Sequence, residues 1–142
     1  MRKILVFFTA LFVLSSVAGA ETKSLSVDAQ EIISKLEKAG ITGKKAKYGL
    51  SKKIFKILTL ENYDGIVSDN YSVGVYGFNK AWGFDRAVDF FQMLTLVSQT
   101  EVYKERPYII TIEGETKEGR DAAVNKIKKT MPHIREISEE DR

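Results

Sequence analysis

The chain contains no cysteine, one histidine, one tryptophan and two prolines among its 142 residues. The absence of cysteine excludes disulfides, thiolate catalysis and zinc–thiolate sites. The single histidine, His133, argues against a histidine-based metal site or a Ser-His-Asp relay, because both need further ligands or partners. We therefore expect no metal or other cofactor. Without crosslinks the fold must rely on its apolar core, which a hydrophobic fraction of 44% makes feasible.

The first 20 residues have the three-part pattern of a secretory signal peptide. Residues 1–3 are short and basic, residues 4–14 form an almost unbroken apolar run, and residues 15–20 end in small side chains. This pattern predicts cleavage after Ala20. The alternative is an uncleaved membrane anchor, but the run is shorter than the ~20 residues that a spanning helix needs. We expect a periplasmic or secreted protein with no transmembrane segment after cleavage.

Removal of the leader leaves 122 residues, 21–142, which is a size expected for one domain. Cleavage also removes Arg2 and Lys3, so the remaining chain has 20 of the 22 basic residues and all 19 acidic residues. This almost neutral balance argues against a nucleic-acid partner. An exported domain of this size without disulfides is more typical of a bacterial envelope than of eukaryotic secretion.

The N-terminal extension, residues 21–70, predicts a helix and one or two strands. Apolar residues recur at helical spacing over residues 28–39, where Asp28 can cap the first turn and Gly40 can end the last one. Residues 54–60 fit either a strand with one buried face or a short helix.

Two breaks are predicted before residue 71, and a weak alternation precedes them. Residues 46–50 hint at a strand because apolar and other residues alternate. Residues 61–65 are rich in turn formers, with Asp-Gly as the strongest local signal, and residues 68–70 mark a second break.

The predicted elements from residue 71 follow the order strand, helix, short strand, strand, helix, strand. The strands are expected at 71–78, 101–103, 108–113 and 134–137, the helices at 84–97 and 116–131, and a loop at 79–83. Two βαβ halves of this kind form a ferredoxin-like βαββαβ sandwich, with both helices on one face of an antiparallel sheet. We therefore predict a single α+β domain with a ferredoxin-like core at 71–138.

Two glycine-containing strands that each precede a helix resemble the sporulation-related repeat (SPOR) domain of bacterial envelope proteins. They read Tyr-Ser-Val-Gly-Val-Tyr-Gly-Phe at 71–78 and Tyr-Ile-Ile-Thr-Ile-Glu-Gly at 108–114. The resemblance covers residues 71–138 and implies binding of septal peptidoglycan through an exposed sheet face. Residues 108–137 also resemble the BON domain, a small envelope module implicated in membrane association.

Four aromatic residues are candidates for a platform on which a carbohydrate could stack: Tyr71, Tyr76, Phe78 and Trp82. Tyrosine and tryptophan suit such a surface because they combine an apolar face with a polar group. Strand alternation places Tyr71 on one side of the sheet and Tyr76 and Phe78 on the other, so at least one ring is exposed unless both faces are covered. Core packing is the alternative. Trp82, in the glycine-flanked loop, is expected at the surface.

Lysines are concentrated in one segment. Residues 35–56 contain eight of them, with Glu37 as the only acid. Such a segment could attract an anionic envelope component, although a solvated surface is the alternative. The candidate ligand-binding lysines are Lys44, Lys45, Lys47, Lys52 and Lys53.

These patterns indicate an exported, non-enzymatic protein that binds a cell-envelope component, with cell-wall glycan as the first candidate. The alternative is a protein-interaction or adaptor module that presents a sheet face or an open edge strand to an envelope protein. A third hypothesis is a small hydrolase that uses His133 or the carboxylates Asp85 and Asp89, which lie one helical turn apart.

Overall fold

The computed structural model describes residues 25–46 and 55–137, in which helices cover a six-stranded antiparallel sheet. The helices are α1 (Ala29–Lys38), α2 (Ala81–Val97) and α3 (Lys117–Thr130), and residues 55–57 are helical as well; the strands are β1 (Lys44–Lys45), β2 (Leu60–Val67), β3 (Ser72–Phe78), β4 (Glu101–Glu105), β5 (Tyr108–Glu113) and β6 (Arg135–Glu136). The predicted α+β class is confirmed. None of the described helices has the length and apolarity that a membrane span requires.

Helices α1 and α3 form where their caps and apolar stripes predict them. The Asp28 side chain accepts a hydrogen bond from the Glu31 backbone N–H over 3.0 Å. The Thr116 hydroxyl accepts one from the Gly119 N–H over 3.1 Å. Each bond satisfies an N–H group that the helix itself leaves without a partner. Gly40 has a φ of 103° and ends α1 in the left-handed region that favours glycine.

The strand order differs from the predicted ferredoxin-like arrangement. The sheet runs β1-β2-β3-β5-β4-β6, and every neighbouring pair is antiparallel. A ferredoxin-like core would place its last strand, β6, beside β3. Here β2 occupies that position, and β6 pairs instead with the outer side of β4, with Lys104 opposite Arg135.

This strand order explains why helices cover both faces of the sheet. The β3-α2-β4 and β5-α3-β6 connections cross the sheet in the same direction, but they start from strands that run in opposite directions. Because such crossovers are right-handed, α2 and α3 must pack on opposite faces. The prediction that both helices share one face is therefore wrong, and so is the expectation of a sheet with one bare side.

Two hydrophobic cores result, one on each face. The first joins α1 and α3 to the sheet through residues such as Ile33, Leu36 and Ile127. The second joins α2 and the turn at residues 55–57 to the sheet, and it is rich in phenylalanine. Asn62 of β2 also holds the start of α1, since its side-chain oxygen accepts a hydrogen bond from the Ala29 N–H over 2.9 Å.

The predicted turn at residues 61–65 is wrong, because these residues lie within β2. Gly65 lies opposite Gly74 of β3, and the Tyr63 ring lies across both. A Cβ atom on Gly65 would be 2.4 Å from the Tyr63 hydroxyl oxygen. Gly65 therefore provides space for the Tyr63 ring and does not mark a turn. The second predicted break is confirmed, because the Ser68 N–H donates to the Tyr71 carbonyl in the loop between β2 and β3.

Helix α2 begins three residues before the predicted position. The loop predicted at 79–83 is wrong in its second half, because the helix starts at Ala81. Gly83 is required in the first turn because the Leu58 carbonyl oxygen lies only 2.1 Å from where its Cβ would be. The outermost strands, β1 and β6, have two residues each, and all four residues are exposed.

Candidate functional site

The predicted aromatic residues do not share one surface. Tyr71 is half-buried against the core beneath α1 and α3. Tyr76 lies in the other core, where its ring centroid is 5.1 Å from that of Phe91 and 5.5 Å from that of Phe55. Phe78 is fully buried in that same core. Since both faces of the sheet are covered, these three side chains pack against two different cores and do not form one stacking platform.

Trp82 is the most exposed of the four candidate aromatics. It lies in the first turn of α2 rather than in a loop, and 37% of its surface is accessible. The expectation that Trp82 reaches the surface is therefore met, although its backbone is helical.

The candidate lysines fall into two groups. Lys44 and Lys45 form the exposed edge strand β1, and Lys47, Lys52 and Lys53 lie outside the described residues. The Lys45 ammonium is 3.1 Å from an Asp64 carboxylate oxygen and 3.6 Å from one of Glu37. Desolvation lowers the pKa of Lys45, but the two carboxylates outweigh it and raise the pKa above its usual value. Asp64 and Glu37 thus neutralise the charge of one of the candidate lysines within the protein.

The structure reveals an apolar surface on the side of α2 that faces away from the sheet. We define the outer α2 surface as four side chains on two helical turns, and their exposed fractions are 37% for Phe90, 68% for Met93, 62% for Leu96 and 81% for Val97. No charged residue occurs from position 90 to position 97. The inner side of the same helix is buried through residues such as Phe84.

The apolar periodicity of residues 84–97 predicts that Phe90, Met93 and Val97 widen a buried stripe. A helix that is apolar all around usually lies inside a protein. Here only one side of α2 meets the sheet, so the other side of its C-terminal half is exposed. The absence of charge from position 90 to position 97 is the sequence feature that indicates this apolar side of α2. Helical periodicity alone does not distinguish an apolar side that is exposed from one that another element covers.

The helical turn at residues 55–57 extends this surface. The Phe55 ring stacks on that of Phe91 with centroids 5.0 Å apart, and its centroid lies 5.3 Å from that of Phe90. These contacts hold the turn against α2. The next two residues, Lys56 and Ile57, are exposed, and Ile57 exposes 77% of its surface. A basic and an apolar side chain therefore lie beside the outer α2 surface.

An open cleft of about 480 Å³ lies along another flank of α2, between the helix and strands β4 and β6. Its floor includes Phe84 and Val88. The charged lining brings together the three residues considered for hydrolysis with one further carboxylate and three cationic side chains: Asp85, Asp89, His133, Glu105, Lys104, Arg106 and Arg135. The topology explains this convergence, because β6 pairs with β4 and thereby carries His133 to the side of α2.

The cleft is electrostatically balanced. The Arg106 guanidinium contacts the Asp85 carboxylate and lies 5.3 Å from the centre of the Phe84 ring. Lys104 and Arg135 lie directly opposite each other across β4 and β6, an arrangement that is unfavourable unless carboxylates offset it. The described residues contain no group of three or more histidine, aspartate or glutamate side chains that could hold a metal ion. Comparison with protein-family models, curated proteins and solved structures gives no match.

Proposed function

We propose that the chain is an exported, non-enzymatic protein of a bacterial cell envelope that binds another envelope component through the outer α2 surface. The observation that carries this proposal is the exposure of Phe90, Met93, Leu96 and Val97 on two consecutive turns of one helix. The predicted signal peptide supports the location, since its three-part pattern is that of exported proteins.

The exposed apolar area supports binding because it is costly to leave in water. Isolated surface hydrophobic residues are common, but a contiguous patch with polar surroundings typically marks an interaction site. On α2 the first half of the outer side carries Asp85, Arg86 and Asp89, whereas the second half carries no charge. The change from charged to apolar within one helix favours a surface that is covered in the working protein.

The fold changes where a peptidoglycan ligand would have to bind. It depended on an uncovered sheet face with aromatic side chains, and both faces are covered. Trp82 and Phe90 are the exposed rings of α2, and eight residues of helix separate them by roughly 12 Å. A glycan would therefore have to bind along α2 rather than on the sheet, and we treat this as one outcome of the following test.

The proposal is tested by co-sedimentation of the exported protein with isolated cell envelopes and, separately, with purified sacculi. We expect the wild-type protein to sediment with envelopes and the double variant Met93→Gln/Leu96→Gln to stay in the supernatant. Both substitutions suit an exposed helix position, so the fold should be retained. The matched control, Lys128→Gln/Lys129→Gln on α3, should behave like the wild type. Equal sedimentation of all three proteins, or of none, would reject the outer α2 surface as the binding site.

The cleft supports a second candidate function, hydrolysis of a small substrate, because it brings His133 and Asp89 into one cavity. A panel of chromogenic esters, phosphates and glycosides tests it. Turnover that is lost in both His133→Gln and Asp89→Asn would support catalysis in the cleft. Absence of turnover, or turnover unchanged in both variants, would dismiss it.

A further inference from the structure

We infer that the open cleft between α2 and strands β4 and β6 binds a small zwitterion, which is a free amino acid or a short peptide with one ammonium and one carboxylate group. This inference goes beyond the binding proposed for the outer α2 surface, and it requires no turnover. Three properties of the cleft favour such a ligand: the segregation of its charges, the gap between them and its size.

Charges of opposite sign lie on opposite walls of the cleft. Helix α2 contributes the carboxylates of Asp85 and Asp89 and no cation. On the other wall, Lys104 of β4 and Arg135 of β6 are register partners, so their side chains lie on the same face of the sheet. Glu105 follows Lys104 in β4, and strand alternation directs it toward the opposite face. The α2 wall is therefore negative and the strand wall is positive.

A gap separates the two walls beyond one bridging ion pair. Arg106 reaches across the cleft and contacts the Asp85 carboxylate. Asp89 lies one helical turn further along α2 and makes no ion pair or hydrogen bond with any described residue. Opposite charges that line the same cleft without contact are complemented by a ligand that carries both. Its ammonium group would lie beside Asp89, and its carboxylate beside Lys104 and Arg135.

The size and the floor of the cleft suit a small ligand. Its volume of about 480 Å³ lies within the range of small-molecule sites. The floor residues Phe84 and Val88 are 3% and 6% exposed, so they offer contact to a methyl group rather than to a large apolar side chain. A sugar would find no exposed phenylalanine, tyrosine or tryptophan ring on which to stack among the residues that line this cleft.

A ligand with a single charge is less complementary to the cleft. A simple anion bound to the strand wall would lie near the Asp89 carboxylate, and a simple cation bound to Asp89 would lie near Lys104 and Arg135. Like charges that are brought together in a site oppose binding. A zwitterion should therefore bind more tightly than either of its singly charged derivatives.

The test is an NMR titration of the isotope-labelled exported protein with alanine, dialanine and trialanine. The backbone amides of Asp89 and His133 report on the two walls of the cleft. Exposed charge pairs are weak, so we expect a dissociation constant on the order of 1 mM for the tightest of the three ligands. The series distinguishes a free amino acid from a peptide, because each added residue separates the two charges by roughly 3.5 Å more.

Blocked forms of the tightest ligand test whether both charges are recognised. N-acetylation removes the ammonium group and leaves the carboxylate, whereas C-amidation removes the carboxylate charge and leaves the ammonium group. We expect each modification to weaken binding about fivefold, and high salt to weaken binding of the free ligand.

Two variants assign the charges of the ligand to the walls of the cleft. Asp89→Asn should weaken binding of the free and the amidated ligand about fivefold, but not of the acetylated ligand, which has no ammonium group. Arg135→Gln should weaken binding of the free and the acetylated ligand, but not of the amidated one. Both positions are exposed, so the fold should be retained. The controls Lys129→Gln, on α3, and Met93→Gln/Leu96→Gln should bind like the wild type.

Three results would overturn the inference. One is the absence of amide shifts with all three ligands. Another is equal affinity for the free and the blocked forms, and the third is binding that neither Asp89→Asn nor Arg135→Gln weakens. None of them bears on the proposed function, because sedimentation of Met93→Gln/Leu96→Gln with envelopes tests a different surface.

Discussion

The Oγ1 atom of Thr59 lies 2.1 Å from the position that a Cβ atom on Gly83 would occupy. Thr59 has a φ of 66°, which is rare for a β-branched residue, and its buried hydroxyl has no hydrogen-bond partner in the described structure. The absence of a side chain on Gly83 lets the segment before β2 approach the first turn of α2. Glycine and strained threonine together fix where α2 begins.

Gly83→Ala should destabilise the protein, although alanine is the better helix former. The added methyl group would collide with backbone as well as with a side chain, so relief requires a shift of α2 or of the segment before β2. We expect a loss of about 3 kcal/mol in the free energy of unfolding, measured by chemical denaturation. Arg86→Ala, on the exposed side of the same helix, should change it by less than about 0.5 kcal/mol. A loss of similar size in both variants would contradict this account of Gly83.

Thr59→Gly should stabilise the protein. Glycine adopts a positive φ without steric cost, and the substitution also removes the buried hydroxyl that lacks a partner. Its greater flexibility in the unfolded chain offsets part of the gain, so we expect about 1 kcal/mol. A thermal or chemical midpoint at or below that of the wild type would show that Thr59 is not strained.

The ion pair between Arg120 and Glu101 should contribute to stability, unlike the exposed pairs of the chain. Their side chains are mostly buried, the N–O distance is 3.2 Å, and Arg120 also donates to the Gly114 carbonyl oxygen over 2.6 Å. Arg120→Gln should cost about 2–3 kcal/mol, because it leaves a carboxylate and a carbonyl poorly paired.

The matched control for Arg120 is Lys35→Gln, which breaks the exposed ion pair with Glu31 on α1. That change should cost less than about 0.5 kcal/mol, and high salt should reduce the cost further. Equal costs for the two variants would show that burial adds nothing to the Arg120 pair.

Stability should decrease at alkaline pH because of Tyr63 and Tyr103. Burial raises the pKa of both hydroxyls, and neighbouring charged groups add to it, including Glu101 beside Tyr103. The neutral form is favoured in the folded state, so this stabilisation is complete below the unfolded pKa of about 10 and is lost as the pH rises above it. Unfolding free energies measured from about pH 8 to 11.5 should therefore fall.

The double variant Tyr63→Phe/Tyr103→Phe tests this assignment. It should show a flatter dependence on pH above about 10, because neither position can ionise in the unfolded chain. Parallel curves for variant and wild type would mean that other groups cause the alkaline loss.

The sequence predicted the elements whose boundaries are encoded locally. Asp28 caps α1 as expected, and the alternation at 108–113 corresponds to β5. The strand at 61–65 was missed because Gly65 was interpreted as a turn residue, whereas its role is to accommodate the Tyr63 ring. The Tyr63 ring also contacts Gly74 on the neighbouring strand, and no local sequence pattern relates these two residues.

The arrangement of the elements could not be predicted in the same way. Whether β6 pairs with β3 or with β4 depends on a two-residue strand that carries almost no sequence signal. That choice decides the face on which α3 packs, and therefore whether the sheet is open. The candidate site changed accordingly: Tyr76 and Phe78 became core residues, and the exposed side of α2 replaced them.

The two outermost strands have a consequence for how the molecule can assemble. Long, uncovered strands at a sheet margin invite further chains to add by backbone pairing. Among the described residues the outermost strands are Lys44–Lys45 and Arg135–Glu136, each too short and too charged to template another strand. Growth of the sheet by backbone pairing with either of these two strands is thereby disfavoured.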